Sequence, residues 1–338
     1  MNAKRTFPWR RLLSIPPLVV AGSLLSSCAA APAAVETVKV GIISYITFSP
    51  FFIAKEEGYF DDQNLDVELV TFENSTLLMP ALEQGQLDAA GNAPVAGMFN
   101  AINQTGNIKI VADRGYVSPT DCSYVVILAD PQWVAENPDP AAEAIRGMRF
   151  AVDINTFQAF VLETYLGTLG LTLDDVQTQY IPPPNMIEAA KNGSVDFIIS
   201  AEPWVTRLVD TGAMAIWKPI QEIVPDMQTG FLNYGKRLAG DHPEIGERFM
   251  VAYLQGVRRF NQGKTDRNVE IIAEYTKLDP ELLRSICWPA MRDDGAVDLE
   301  TIMDYQEWAV ANGQLSEVAG EDAVWDSRFV DFANKQLG

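Results

Sequence analysis

Cysteine and histidine are almost missing from this chain, and its cations are outnumbered. Its 338 residues include 3 cysteines and 1 histidine. No Cys-x-x-Cys pair or zinc-type spacing occurs, which removes structural zinc sites and thioredoxin-like redox chemistry. The one histidine, His242, lies in Asp241-His242-Pro243-Glu244 and reads as a helix start rather than a catalytic base. There is no Gly-rich phosphate loop and no Gly-x-Ser-x-Gly elbow, so no enzymatic activity is expected. Lys and Arg total 25 against 45 Asp and Glu, a formal net charge of -20. That balance argues against nucleic acid and anionic membrane surfaces as partners. Long apolar runs are also lacking. The stretch from Leu12 to Leu25 is broken by Pro16 and Pro17 and falls short of the roughly 20 residues a spanning helix needs.

The N-terminus instead has the form of an export signal. Lys4, Arg5, Arg10 and Arg11 make a positive region ahead of the short apolar stretch. Leu25-Ser26-Ser27-Cys28 then places small residues before a cysteine, the pattern of a lipobox. The expectation is a lipoprotein signal peptide over 1–27, lipid on Cys28, and an Ala-rich tether over 28–35. The bland alternative is an ordinary cleavage site beside a chance cysteine. The lipobox reading makes the protein extracytoplasmic and holds it to the membrane through its acyl chains alone. Cys122 and Cys287 remain, as two single buried residues or as one bridge that export permits.

Beyond the tether, strand and helix patterns alternate. Strands are expected at 38–43, 65–70, 87–90 and 108–112, with helices at 51–57, 76–84 and 93–104. Ser49 is the expected N-cap of the first helix, with Pro50 at its first position. Such a βαβαβ run implies a mainly parallel sheet with helices on both faces. The apolar segment 123–128 looks able to cross to a second lobe and 227–234 to cross back. Between them a Pro- and acid-rich section, 130–140, precedes a second set of alternations: strands at 148–152, 177–181, 195–200 and 213–217, helices at 156–169, 185–191 and 204–210. From His242 onward the chain reads as mostly helical, with helices at 243–260, 268–277, 280–286 and 299–312. A short internal echo points to two similar lobes. Gly85-Gln86-Leu87-Asp88 leads to Asn92-Ala93-Pro94, and Gly193-Ser194-Val195-Asp196 leads to Ala201-Glu202-Pro203. Chance also produces matches this short.

The run from Ser49 to Phe60, SPFFIAKEEGYF, followed by Leu65-Asp66-Val67-Glu68-Leu69-Val70, resembles the opening of periplasmic substrate-binding proteins of ABC importers. Ala81-Leu82-Glu83-Gln84-Gly85-Gln86-Leu87-Asp88 and Ala201-Glu202-Pro203-Trp204 are similar to the same pattern. The branch is the one that handles sulfonates, taurine, nitrate, thiamin-pyrimidine precursors and riboflavin. The resemblance covers nearly the whole chain beyond the tether. It implies a two-lobed α/β periplasmic-binding-protein fold, each lobe a mainly parallel sheet flanked by helices, with a hinge and a central cleft. Lobe one would be 36–125 plus 226–338, and lobe two 126–225. The implied partners are an ABC permease with its ATPase subunit. No cofactor is implied. A sensor that passes its ligand signal to a receptor is the competing role.

In such a fold the loops after strands face the cleft, where open α/β sheets place ligands. The first loop offers Ser44, Tyr45, Thr47 and Phe48, the aromatics to stack and the hydroxyls to donate. Tyr45 and Phe48 serve equally well as packing under the first helix. Asn92 offers a donor and an acceptor, or caps a helix. Arg114 and Tyr116 follow the next strand, and Arg114 can meet an anionic ligand or pair with Asp113 or Asp121. In lobe two, Asn155, Thr156 and Phe157 open a helix whose free N–H groups suit an anion. Glu202 and Trp204 follow the last echo strand, Trp204 either stacking on ligand or packing between lobes. Pro182-Pro183-Pro184 stiffens the rim. One clear cation among many aromatics tilts the ligand toward an aromatic heterocycle. Riboflavin is narrowly preferred, ahead of a thiamin-related pyrimidine, sulfonates, taurine or nitrate.

Overall fold

The computed structural model describes residues 34–43, 45–72 and 75–338. The signal peptide, Cys28 with most of its tether, and Ser44 lie outside them. Among the described residues no helix is long and apolar enough to cross a membrane.

Among the described residues ten strands form two sheets. They are β1 (Glu36–Ile42), β2 (Leu65–Thr71), β3 (Ala89–Asn92), β4 (Lys109–Tyr116), β5 (Val125–Ala129), β6 (Arg149–Ala151), β7 (Gln177–Gln179), β8 (Phe197–Ala201), β9 (Ala215–Pro219) and β10 (Gln228–Tyr234). One five-stranded sheet has the order β2-β1-β3-β10-β4 and the other β7-β6-β8-β5-β9. The outer pattern in β1 and β2 is simple alternation. Val38, Val40, Leu65 and Val67 are buried, while Lys39, Asp66 and Glu68 face water. Strands β5 and β10 are buried along their whole length, as befits strands paired on both edges and covered on both faces.

The sheets are mixed rather than mainly parallel. Strand β1 pairs parallel with β2 and β3, and β6 pairs parallel with β7 and β8. Strand β10 runs antiparallel between β3 and β4, and β5 runs antiparallel between β8 and β9. These are the two segments that switch sheets. A strand arriving from the other lobe enters at the hinge edge, where its neighbours end, and so runs against them.

The first helix starts differently from expectation. It spans Ser49–Glu56 with Phe48 at the N-cap position, so Ser49 is not the cap. The Ser49 hydroxyl instead donates to the Ile46 carbonyl at 2.6 Å, closing the short turn Ile46–Phe48. The helix Pro243–Phe260 lies across this one, and Gly256 makes the approach possible. A Cβ there would fall 2.3 Å from the Pro50 carbonyl oxygen. Two short helices, Pro131–Glu136 and Ala142–Ile145, occupy the section read as Pro- and acid-rich. The C-terminal helix Arg328–Leu337 was also not expected. Bridges from Trp325 to Ile110 and from Ala290 to Tyr116 flank the open edge of β4, the edge at which unpaired strands invite association.

Cys122 and Cys287 are bonded, their Cα atoms 5.8 Å apart across 165 residues of sequence. Cys122 lies in the crossing between β4 and β5, and Cys287 follows the helix Pro280–Ser285. The bridge therefore ties one hinge crossing to the helical part that covers the first sheet.

Candidate functional site

The carboxyl ends of β1, β3, β4 and β8 converge on one cavity of about 170 Å³. Its walls come from both sheets. Tyr45, Thr47, Phe48 and Arg114 stand on one side, and Phe157, Glu202 and Trp204 on the other. Seven of the expected binding residues are thus brought together.

Arg114 organises the first wall. It is 4% exposed, and its guanidinium lies 4.0 Å from the Phe48 ring centroid, a cation–π arrangement. Its Nε donates to the Phe231 carbonyl at 3.2 Å, Nη2 to the Asn92 carbonyl at 3.0 Å, and Nη1 to the Thr47 hydroxyl at 2.5 Å. All three acceptors are neutral. A guanidinium carries five N–H donors, so two are left over. Burial lowers its pKa to about 10, against smaller opposing effects of Tyr253, Tyr124 and Asp113, so it stays charged at neutral pH. Among the described residues no carboxylate forms an ion pair with it. Asp113 turns the other way, accepting from the backbone N–H groups of Gly115 and Arg292 and from Gln228.

Bare backbone makes room for this cation. A Cβ on Gly91 would sit 2.3 Å from the Phe48 ring and 2.9 Å from Arg114, and one on Gly230 would sit 3.0 Å from Arg114 Nη2. The strands β3 and β10 thus present a smooth floor under the Arg114–Phe48 stack. This pair of glycines is the sequence signal that marks the site.

The second wall carries the opposite charge. Glu202 is 5% exposed. Its carboxylate accepts from the Thr206 N–H at 3.1 Å and from the Thr206 hydroxyl at 2.8 Å. Burial raises its pKa above the usual carboxylate range, and these hydrogen bonds offset only part of that rise. Trp204 begins the helix Trp204–Asp210, and the Arg207 guanidinium lies 4.8 Å from its ring centroid. One face of Phe48 and one of Trp204 are therefore each attended by an arginine.

Four expected residues do not line the cavity. Tyr116 lies beneath Arg292, whose guanidinium is 3.9 Å from its ring centroid. Asn155 bonds Asp153 on the exposed surface. Thr156 caps the helix Phe157–Thr168, accepting from the Gln158 N–H. Asn92 gives its carbonyl to Arg114, while its buried side-chain amide has no partner among the described residues. Conversely, Tyr124, Gln158, Met186, Ser200 and Thr229 line the cavity and were not expected there. Tyr124 and Thr229 sit on or beside the sheet-switching strands and hydrogen-bond each other through their hydroxyls. Those strands read in the sequence as connections, not as walls. Far from the cavity, exposed His242 sits 3.3 Å from Glu244.

Two like sheets closing on a cavity at their strand ends make up the periplasmic-binding-protein fold. The NMT1-like family matches residues 31–274, and the chain belongs to that family. Among solved structures, the chain is similar to the periplasmic nitrate-binding protein NrtA of Synechocystis PCC 6803, with a TM-score of 0.72, 16% identity, and 91% of this chain and 90% of that one covered. It is similar to the alkanesulfonate-binding protein SsuA of Xanthomonas axonopodis pv. citri bound to MOPS, with a TM-score of 0.66, 20% identity, and coverage of 87% and 99%. It is also similar to the ligand-binding component of an ABC-type import system of Staphylococcus aureus, with a TM-score of 0.70, 17% identity, and coverage of 88% and 99%. At these identities the likeness shows the fold.

Proposed function

We propose that this protein captures a small anionic solute outside the cytoplasm and delivers it to the permease of an ABC importer. The observation that carries the reading is Arg114, a buried guanidinium that faces the cavity with donors to spare and no carboxylate partner among the described residues. Buried charges are normally paired, and an oxyanion head would complete the set with charge-assisted hydrogen bonds. The remaining wall, with Phe157, Met186 and Val125, suits a short apolar tail. An alkanesulfonate has both parts, and nitrate has the head alone. The names of the sulfonate- and nitrate-binding structures of this fold support the same class.

The earlier preference for riboflavin loses its support. A cavity of about 170 Å³ is below the ~300 Å³ at which sites for drug-sized ligands begin, and a three-ring vitamin with a ribityl chain exceeds it. Glu202 gives the second wall a hydrogen-bond acceptor, so an amine on the solute, as in taurine, is the natural variation. The test is a thermal-shift screen of residues 29–338 with ethanesulfonate, taurine, nitrate and riboflavin, since binding to the native state raises apparent stability. The reading expects shifts with the anions and none with riboflavin. A shift with riboflavin alone would overturn it.

A further inference from the structure

The helix Phe157–Thr168 carries two of the residues that line the cavity, Phe157 and Gln158, and it stands between β6 and β7 of the second sheet. Its first turn is joined to the other lobe through backbone. The Phe157 N–H donates to the Pro94 carbonyl at 3.1 Å, and Val95 and Thr156 form an antiparallel bridge beside it. Pro94 and Val95 belong to the loop after β3. Phe157 is the first residue of its helix, where an N–H has no intrahelical acceptor, so the first lobe supplies one. Further along, this helix meets the helix Leu299–Ala311, which is seated on the first sheet's side. Gln228 of β10 donates its N–H to the Thr301 hydroxyl at 3.2 Å, and Asn100, on the helix Ala96–Thr105, donates to the Gln314 carbonyl at 3.2 Å. The rings of Phe99, Tyr305 and Phe160 run from one lobe into the other with centroids 5.8 and 6.1 Å apart, and Trp308 packs 5.8 Å from Phe160. The Glu163 carboxylate closes this contact. Its Oε2 accepts from Trp308 Nε1 at 2.5 Å and from Asn312 Nδ2 at 3.1 Å. Gln314 Nε2 donates to the Ile154 carbonyl at 2.8 Å.

We propose that Glu163, held by Trp308 and Asn312, positions the Phe157–Gln158 wall against the Arg114 wall and so sets solute affinity from outside the cavity. Glu163 lies roughly 9 Å along the helix axis from Phe157, and neither it nor its two donors line the cavity. Trp308, Asn312 and Gln314 stand on the first-lobe side, and Glu163 and Ile154 on the second. A hinge motion that draws the walls apart at the cavity separates these pairs together, breaks the Phe157–Pro94 bond and uncovers Phe160. The contacts therefore stabilise only the arrangement in which the two walls face each other. A solute held between both walls binds with an affinity scaled by the fraction of protein in that arrangement. Removing the Glu163 acceptor lowers the fraction without touching the solute. One oxygen serves both donors, so a carboxamide in its place keeps the contact. The positioning concerns the protein alone, and its effect on affinity rests on the anion-binding reading above.

Amide hydrogen exchange on the unliganded protein tests the positioning without any solute, because the Phe157 N–H has its acceptor in the other lobe. In Glu163→Leu the Phe157 amide should exchange roughly tenfold faster than in wild type or more, while the Leu162 amide, inside the same helix, keeps its protection. Glu163→Gln, which keeps an oxygen for Trp308 and Asn312, should restore the Phe157 protection. Should Glu163→Leu not fold, Trp308→Phe takes its place, since it keeps a ring against Phe160 and removes the Nε1 donor. Unchanged Phe157 exchange would overturn the proposal. Equal acceleration of Phe157 and Leu162 would mean that the helix itself had weakened, which also overturns it. A second arm titrates ethanesulfonate. Glu163→Leu should bind roughly fivefold more weakly than wild type, the size of one lost hydrogen bond, and Glu163→Gln should bind as wild type does. Equal affinity in Glu163→Leu and wild type would overturn the link to affinity. If ethanesulfonate fails to bind wild type, the anion-binding reading fails, while the exchange arm still decides whether Glu163 positions the wall.

Discussion

The two sheets place their strands in the same relative order, and the equivalence reaches individual side chains. In the first, Asp88 ahead of β3 takes the Lys39 N–H at 2.8 Å, and in the second Asp196 ahead of β8 takes the Arg149 N–H at the same distance. Each follows a helix that ends in a left-handed glycine, Gly85 with φ 70° and Gly193 with φ 67°. Past that point the sheets diverge. Gly91 in β3 corresponds to Ile199 in β8 by register. The missing side chain admits Phe48 and the Arg114 cation, while Ile199 fills its own space as core. One sheet has given up packing at its strand end to hold a charge, and the other has kept its packing and supplies a carboxylate from the following loop. A repeated scaffold can thus carry two unlike half-sites by changing a few residues at the strand ends.

Swapping the packing tests this contrast most severely. Gly91→Ala drives a methyl into Phe48 and Arg114 and should cost about 1–3 kcal/mol as overpacking, with loss of anion binding. Ile199→Val should cost about 0.5–1.5 kcal/mol as a lost methylene and leave binding intact. Denaturant melts with parallel titrations check both, and retained binding in Gly91→Ala would break the comparison.

The Asp196–Arg149 pair is half-exposed and should be worth at most about 1 kcal/mol. Burial pushes the Asp196 pKa up, but the Arg149 side-chain and backbone hydrogen bonds outweigh this and hold it below 3.8. Its contribution is therefore present at neutral pH and is lost as pH falls through the depressed value. Asp196→Asn should be less stable than wild type at pH 7, with the gap closing below about pH 3.8. Melts across pH 2–7 read this, and a gap independent of pH would contradict it.

Glu202 has the opposite sign. Its folded pKa is raised above 4.5, so the fold holds its proton more tightly than the unfolded chain does. Stability gains from this group as pH falls from the raised value toward 4.5. Glu202→Gln should lack that gain and be no less stable than wild type at pH 8. This is the smallest expected effect, and the difference between the two stability curves measures it.

The scaffold was largely legible in the sequence because it rests on local signals. Strand and helix periods, Pro50 and Pro243 in first turns, and the Gly-Asp echo each mark an element in one short stretch. The helix Pro243–Phe260 falls on its expected bounds. The mixed pairing of β5 and β10 was not legible, because strand direction depends on which lobe the chain has just left. The site was half legible. Loops after strands gave Tyr45, Thr47, Phe48, Phe157, Glu202 and Trp204, while Arg114, expected on such a loop, lines the cavity from inside β4. Tyr116 was misplaced because Arg292, 176 positions onward in sequence, covers it. Tyr124 and Thr229 were missed because only the antiparallel switch brings them face to face. The Cys122–Cys287 pairing is likewise a fact of tertiary contact.

The central claim is that the first sheet supplies the charge that selects the solute. Calorimetric titration of ethanesulfonate into wild type, Arg114→Met and Glu202→Gln tests it most directly. Truncating one partner of a buried charged contact costs about 2–5 kcal/mol, so Arg114→Met should bind roughly 30-fold more weakly or worse. Glu202→Gln should stay within a few-fold of wild type, having no positive group on this solute to lose. Undiminished binding in Arg114→Met, or a larger loss in Glu202→Gln than in Arg114→Met, would contradict the account.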